Sequence, residues 1–474
     1  MKHILLLLLA GILPVASSVN AQVTTYQIFV TITNPTPGAG DFFGRPVASV
    51  GTDRILIGAQ YNDTGIGNTG SAYLFSTNGT LLTTITNPIQ SSDDKFGFAV
   101  AAVGADKLLI GALEADVGPV NNGLMDVGAA YLFSTNGALL TTFTNPILGE
   151  FDHFGCALTA VGTDKVIIGA SDAQIGGIYT GVAYLFSTNG TLLTTFNNPT
   201  PQFGDFFGRS VTAVGADKLL ISAYYDNAGA LGAGAAHLFN TNGALLTTFT
   251  NPTPAIDDLF GMALAAVGTD KVLIGAYGDK TGAPSAGAAY LYSTSGTLLT
   301  TFTNPFPAVN DNFGWAVSAV GTDKVLIGTP NDDIGATDSG TAYLFTTNGT
   351  LLTIITNPTP EFRDNFGAHL AVLGTNSLII GAYLDNIGAA DSGVAYLVNL
   401  SQANPKLSIA HTTTNTIVVA WPSSSTEFVL QENTNNSSSA NWSNVLTLPV
   451  DNGTTKTIII NPQTGNRFYR LFKQ

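Results

Sequence analysis

The chain has 474 residues and a formal net charge of −15, yet only 10% of its residues are charged. A surface with 32 acidic against 17 basic side chains repels phosphates, which excludes nucleic acid and anionic membranes as partners. Cys156 is the only cysteine, so packing and sheet pairing, not intramolecular disulfides, have to hold the fold together.

The first residues carry a basic start at Lys2 and His3, an apolar run from Ile4 to Leu13, and small residues ending in Val19-Asn20-Ala21. This pattern predicts a secretory signal over residues 1–21, cleaved after Ala21. The run is too short to span a bilayer, and no later stretch reaches the roughly 20 apolar residues a membrane helix needs. No cysteine follows the signal where a lipid could be attached. The expectation is an exported monomer without membrane insertion: secreted, periplasmic or at the cell surface.

The dipeptide Phe-Gly then recurs with its glycine at Gly44, Gly97, Gly155, Gly208, Gly261, Gly314 and Gly367, at spacings of 53, 58, 53, 53, 53 and 53. A period of this length matches a four-stranded propeller blade better than a solenoid coil. One unit shows the pattern. Gly314 to Val320 predicts a small, apolar inner strand, and Val325 to Gly328 a strand buried on both faces. A polar loop from Pro330 to Gly340 precedes a third strand, Thr341 to Phe345. Asn348-Gly349 predicts a type I′ turn into a fourth strand, Leu351 to Ile355, which Asn357-Pro358-Thr359-Pro360 stops. The last unit lacks its fourth strand. Ile28 to Pro35 repeats the fourth-strand pattern before any complete unit, so residues 23–33 are expected to close the last blade of an all-β, seven-bladed propeller over residues 22–400.

The recurring Phe-Gly, followed by Val-Gly-x-Asp-Lys, Leu-Ile-Gly-Ala and Gly-x-Ala-Tyr-Leu-Phe, resembles the FG-GAP repeat of the integrin α-subunit propeller and of bacterial exported proteins, over about residues 23–399. The resemblance implies the same propeller fold. Residues 404–474 break the period, and runs at Thr416–Trp421, Glu427–Leu430 and Thr457–Ile460 predict a small β-sandwich, immunoglobulin-like or fibronectin-like, with a loop at Asn433–Asn441.

Alternating strand direction puts the short, repeated turns on one face and the long, variable loops on the other, where recognition usually sits. On that loop face an aspartate stands three residues before each repeat glycine: Asp41, Asp94, Asp152, Asp205, Asp258, Asp311 and Asp364. Recurrence in every blade points to a turn role, capping backbone N–H groups. The family's calcium loop, Asp-x-Asp-x-Asp-Gly, is absent. Its nearest approaches are Asp332, Asp333 and Asp338, then Asp385, Asn386 and Asp391, then Asn62, Asp63 and Asn68, which adjoin once the ring closes. A weak Ca²⁺ site and ordinary loop turns are both open for them; no other cofactor is implied.

The residue after each Phe-Gly varies most: Arg45, Phe98, Cys156, Arg209, Met262, Trp315 and Ala368. It is expected at the mouth of the central channel, where Arg45, Arg209 and Trp315 could hold a ligand by charge and stacking; packing against unequal neighbours accounts for the same variation. No histidine pair has metal-ligand spacing, and no nucleophile has an identifiable base. The expected function is a non-catalytic binding or adhesion module for an extracellular protein or polysaccharide. The alternative is a carbohydrate-active hydrolase or lyase using carboxylates at the axis.

Overall fold

The computed structural model describes residues 24–63, 67–116, 125–402, 407–411, 416–422, 428–433, 442–452, 455–461 and 468–473. The leader expected over residues 1–21 lies outside them, as does most of the loop expected at Asn433–Asn441. The chain forms two compact units, one essentially Tyr26–Ser401 and one essentially Gln402–Gln474. No helix among the described residues is long and apolar enough to cross a membrane.

The first unit holds seven four-stranded antiparallel sheets. In the first, Val47–Val50, Arg54–Ala59, Ser71–Ser76 and Leu81–Thr86 pair in chain order. The reason lies in composition. The second and third strands are continuous apolar runs, buried on both faces, whereas the fourth buries only Ile85. Each innermost strand touches that of the next sheet, and His369–Leu373 touches Val47–Val50, so the ring closes.

The last sheet orders as Thr24–Thr33, Val394–Gln402, Ser377–Ala382, His369–Leu373. The N-terminal strand therefore supplies the missing outer strand. Ile32 is buried in the cluster that joins Leu373, Ile379, Ala395 and Leu397 to Phe43 and Ile57 of the first blade. Similar clusters fill every other seam between blades; Phe143 and Leu132 of the second, for example, pack on Phe154, Tyr184 and Phe186 of the third.

The Phe-Gly signature has a steric cause at these seams. Gly97 takes φ +91°, and a Cβ there would meet the Ser71 carbonyl oxygen at 2.5 Å. The glycine of Ile-Gly-Ala is needed for close approach. A Cβ on Gly58 would lie 2.1 Å from the Gly97 oxygen of the next blade, and one on Gly381 lies 2.2 Å from the Gly44 oxygen across the closure.

The third-to-fourth-strand turn differs from the type I′ prediction. Only Gly349 has positive φ, while Asn348 does not. Gly349 N–H donates to Thr346 O, and the register shifts at Leu344/Phe345, which gives a three-residue turn with a glycine bulge. The Asn348 side-chain oxygen instead accepts from the Thr346 and Thr350 hydroxyls, which fixes the asparagine with negative φ.

The buried aromatic of Ala-Tyr-Leu-Phe shows how the blades have diverged. The Tyr290, Tyr343 and Tyr396 hydroxyls donate to Asp279, Asp332 and Asp385 at 2.6, 2.5 and 3.1 Å. Blades two and three have Ala115 and Ala173 at the position of those aspartates, and there the Tyr131 and Tyr184 hydroxyls are buried without a partner. Tyr343→Phe should therefore cost about 1–3 kcal/mol, because it strips a donor from buried Asp332, whereas Tyr131→Phe should be neutral or stabilising. Melting curves of the two variants check this; equal losses would show that the hydroxyls do not differ.

The second unit forms a four-stranded sheet, in the order Ser408–His411, Ile417–Pro422, Thr455–Ile460, Val450–Asp451, and a three-stranded sheet of Ser443–Asn444, Phe428–Asn433 and Phe468–Lys473. Val419, Trp421, Leu430 and Ile458 from both sheets share one small core.

Candidate functional site

The chain reaches the axis through a repeated turn. In each blade the aspartate before Phe-Gly is flanked by two residues in the left-handed region, such as Gly40 and Phe42, Gly204 and Phe206, or Arg363 and Asn365. This conformation is costly for a bulky residue unless the surroundings hold it. The aspartate does so. Asp364 Oδ2 accepts from the Glu361 backbone N–H at 2.6 Å and from Asn357 Nδ2 at 2.7 Å. The same pair of donors serves Asp41, Asp94, Asp205, Asp258 and Asp311, and Asn145 serves Asp152. The asparagine comes from the Asn-Pro that ends the preceding strand, a partner the sequence reading treated only as a stop.

The second oxygen of Asp94, Asp205, Asp258 and Asp364 is buried without a hydrogen bond. Burial therefore dominates, and these four carboxyls are raised to about 6.

Beyond this turn each chain enters the innermost strand, and its first residue faces the axis. Arg45, Phe98, Cys156, Arg209, Met262, Trp315 and Ala368 all line one cavity of about 270 Å³. The Arg45 guanidinium lies 5.8 Å from the Phe98 ring centre and 5.2 Å from that of Tyr383, and Arg209 lies 5.4 Å from the same Phe98 ring. Burial, and then the Arg209 charge, lower the Arg45 pKa. Tyr277 packs on Trp315 at 4.7 Å. His369, also in the lining, is held neutral down to about pH 3 by burial and by both arginines. Burial raises the Cys156 thiol, which keeps it protonated as a small buried side chain.

Around this ring stand aromatics that the sequence reading missed. Phe42 meets Tyr61 and Tyr383 edge-on at 5.0 and 5.3 Å, and Phe206 stacks on Tyr224 at 5.5 Å. A signal for three of them was present: the residue following Ile-Gly-Ala or its equivalent also varies from blade to blade, through Gln60, Leu113, Ser171 and Pro330, and is Tyr224, Tyr277 and Tyr383 in the other three.

The candidate metal residues are not brought together. Asp332 accepts from Ile334 N–H and the Tyr343 hydroxyl, and Asp385 from Ile387 N–H and the Tyr396 hydroxyl. Asp333 and Asp63 accept from the backbone N–H of Asp338 and Asn68, while Asp391 donates its N–H to Asn386. Asn62 is turned inward, with its Nδ2 on Asp41. Asp338 lies 3.8 Å from Arg363. Among the described residues no group of three His, Cys, Asp or Glu side chains could hold a metal ion.

A protein-family profile described as FG-GAP repeat matches residues 30–75, 249–292 and 307–345. No curated protein matches the chain. Among solved structures, the chain is similar to the WD40 β-propeller domain of Doa1, at 16% identity and a TM-score of 0.48, over 80% of this chain and 98% of that one. The structure of BBS1N in complex with ARL6DN is similar at 10% identity and a TM-score of 0.44, over 80% and 99%. The β-propeller domain of the Trilobed protease from Pyrococcus furiosus is similar at 10% identity and a TM-score of 0.42, over 74% and 91%.

Proposed function

The chain is an FG-GAP-repeat β-propeller, and from that premise we propose that it is a non-catalytic binding module whose ligand seats at the axial mouth of the loop face. One observation carries this reading. Residues that shape the blades repeat around the ring, whereas the seven equivalent axial positions hold Arg twice and five other side chains once each. A scaffold held constant around a varied, concave centre is the usual form of a recognition site. Exposed apolar tips at Phe203, Ile256, Val309 and Phe362 widen the same face. The apolar leader from Ile4 to Leu13 supports a place outside the cytoplasm, where an extracellular protein or polysaccharide would be the partner.

The lining includes no carboxylate, which favours binding over hydrolysis by a pair of axial acids. The test is a panel of immobilised polysaccharides and extracellular proteins, scored for retention of the protein and for release of soluble product. Retention that Trp315→Ala abolishes, with no product, is the expected result. Release of oligosaccharide by the parent protein would replace the binding module with an enzyme.

A further inference from the structure

Arg45 and Arg209 stand apart from every other cation of the propeller. Each remaining described lysine or arginine of that unit lies within 4.0 Å of a carboxylate, as in Arg54–Asp53, Lys95–Glu114, Lys107–Asp106, Lys280–Asp258 and Arg363–Asp338. Among the described residues the two axial guanidiniums have neither a hydrogen bond nor an ion pair, and lie instead over aromatic faces. In a chain with 32 acidic side chains, two cations share the Phe98 ring inside a cavity without a carboxylate. Half-buried like charges in that position are unfavourable unless an anion joins them.

We propose that the cavity binds a single acidic sugar unit carried at the end of an otherwise neutral glycan. This rests on the reading of the axial mouth as the ligand site. A guanidinium offers a carboxylate two parallel N–H donors. The apolar face of a sugar ring is suited to the flat side of Trp315, which lines the cavity with Tyr277 packed against it and which a small inorganic anion would leave unused. The cavity, at about 270 Å³, has room for a ring of that size. The surrounding loops decide how many charges are accepted. Asp63, Asp93, Asp116, Asp257, Asp333 and Asp391 lie on them, exposed, so a polyanion meets repulsion at the rim while one acidic tip reaches the arginines. An acidic protein side chain would present the same carboxylate without a ring to stack, and is the competing outcome.

The test is titration calorimetry of the full chain with a neutral disaccharide tipped by glucuronate or sialic acid, its methyl ester, polygalacturonate, and a peptide ending in glutamate. The acid-tipped sugar should bind, and the ester and the polymer at least tenfold more weakly. Arg45→Met and Arg209→Met should remove binding while melting at or above the parent temperature, since each relieves an unpaired charge; an arginine needed only for packing would lower it. Equal affinity for acid and ester, tighter binding of the polymer or the peptide, or no binding of either acidic tip overturns the proposal. A neutral ligand from the wider panel that still depends on Trp315 would leave the axial mouth as the binding site and remove only its acidic specificity.

Discussion

Deleting Thr24–Thr33 is expected to lower the melting temperature by more than ten degrees, or to convert the protein into soluble oligomers and aggregate. The strand is the outer member of the last sheet, so its loss leaves the Val394–Gln402 strand with an unpaired edge. It also strips Ile32 and Val30 from the cluster at the blade seven to blade one seam, and Tyr26 and Ile28 from the cluster under Tyr396 and Val398. Full burial of such a side chain is worth about 1.5–3 kcal/mol; Ile32 is fully buried and Val30, Tyr26 and Ile28 partly, so each of those three contributes less, and an exposed, regular edge recruits another chain. Gel filtration and calorimetry read the result. A monomer with unchanged melting would mean that closure contributes nothing to the ring.

The pH dependence of stability should split into two opposed parts that single substitutions separate. The Asp364 carboxyl is raised to about 6 by burial, above its unfolded value near 4. The folded state therefore binds that proton more tightly, so this group adds stability as pH falls from 7 to 5, by about 1 kcal/mol, and the gain is lost again as pH rises through 6. Asp94, Asp205 and Asp258 act in the same direction. His237 works against them. It occupies the tyrosine position of blade four, buried, with Nδ1 3.1 Å from the Thr248 hydroxyl, and burial lowers it to about 4. The unfolded chain binds its proton first, so stability is lost as pH falls below about 6.5, by about 2 kcal/mol at pH 5. His369 adds to that loss. Asp364→Asn should accordingly remove part of the acid gain. His237→Tyr should raise stability increasingly toward pH 5, and it would also give Asp226, the counterpart of Asp332, a second hydroxyl partner beside Thr200. Parallel pH profiles for parent and both variants would contradict both assignments.

The sequence made the architecture legible because steric need repeats. A glycine that must lie against the next blade is costly to replace, so Gly58 and its equivalents mark every seam but the one where Ser222 stands. The N-terminal strand could be placed because it copies an outer-strand pattern that the last repeat lacks. The axial series was visible for the opposite reason, as the position where repetition fails. Pairing between distant side chains left no such mark. Nothing local shows that Asn357 will hold Asp364, or that two arginines from blades one and four meet over Phe98, because those contacts depend on how the turns aim their side chains. The type I′ assignment failed at the same level: Asn-Gly fits two hairpins, and the bulge at Leu344/Phe345 decides between them.

The seam made from both chain ends has a kinetic meaning. Six sheets assemble from strands that follow one another in the chain, so their pairing is local and fast. The seventh cannot form until Thr24–Thr33 meets Val394–Gln402 near the other end of the propeller, a closure that also brings Tyr26 to Thr356 of blade six, 330 residues away. Closing a loop of that length in place of one of tens of residues costs roughly 2–3 kcal/mol more in chain entropy. During synthesis the first strand made is thus the last to find its place, and until then it is interchangeable with the outer strand of any neighbouring copy. Refolding yield should therefore fall with protein concentration well before the unfolding temperature shows any concentration dependence, because the competition is between one chain's own end and another's.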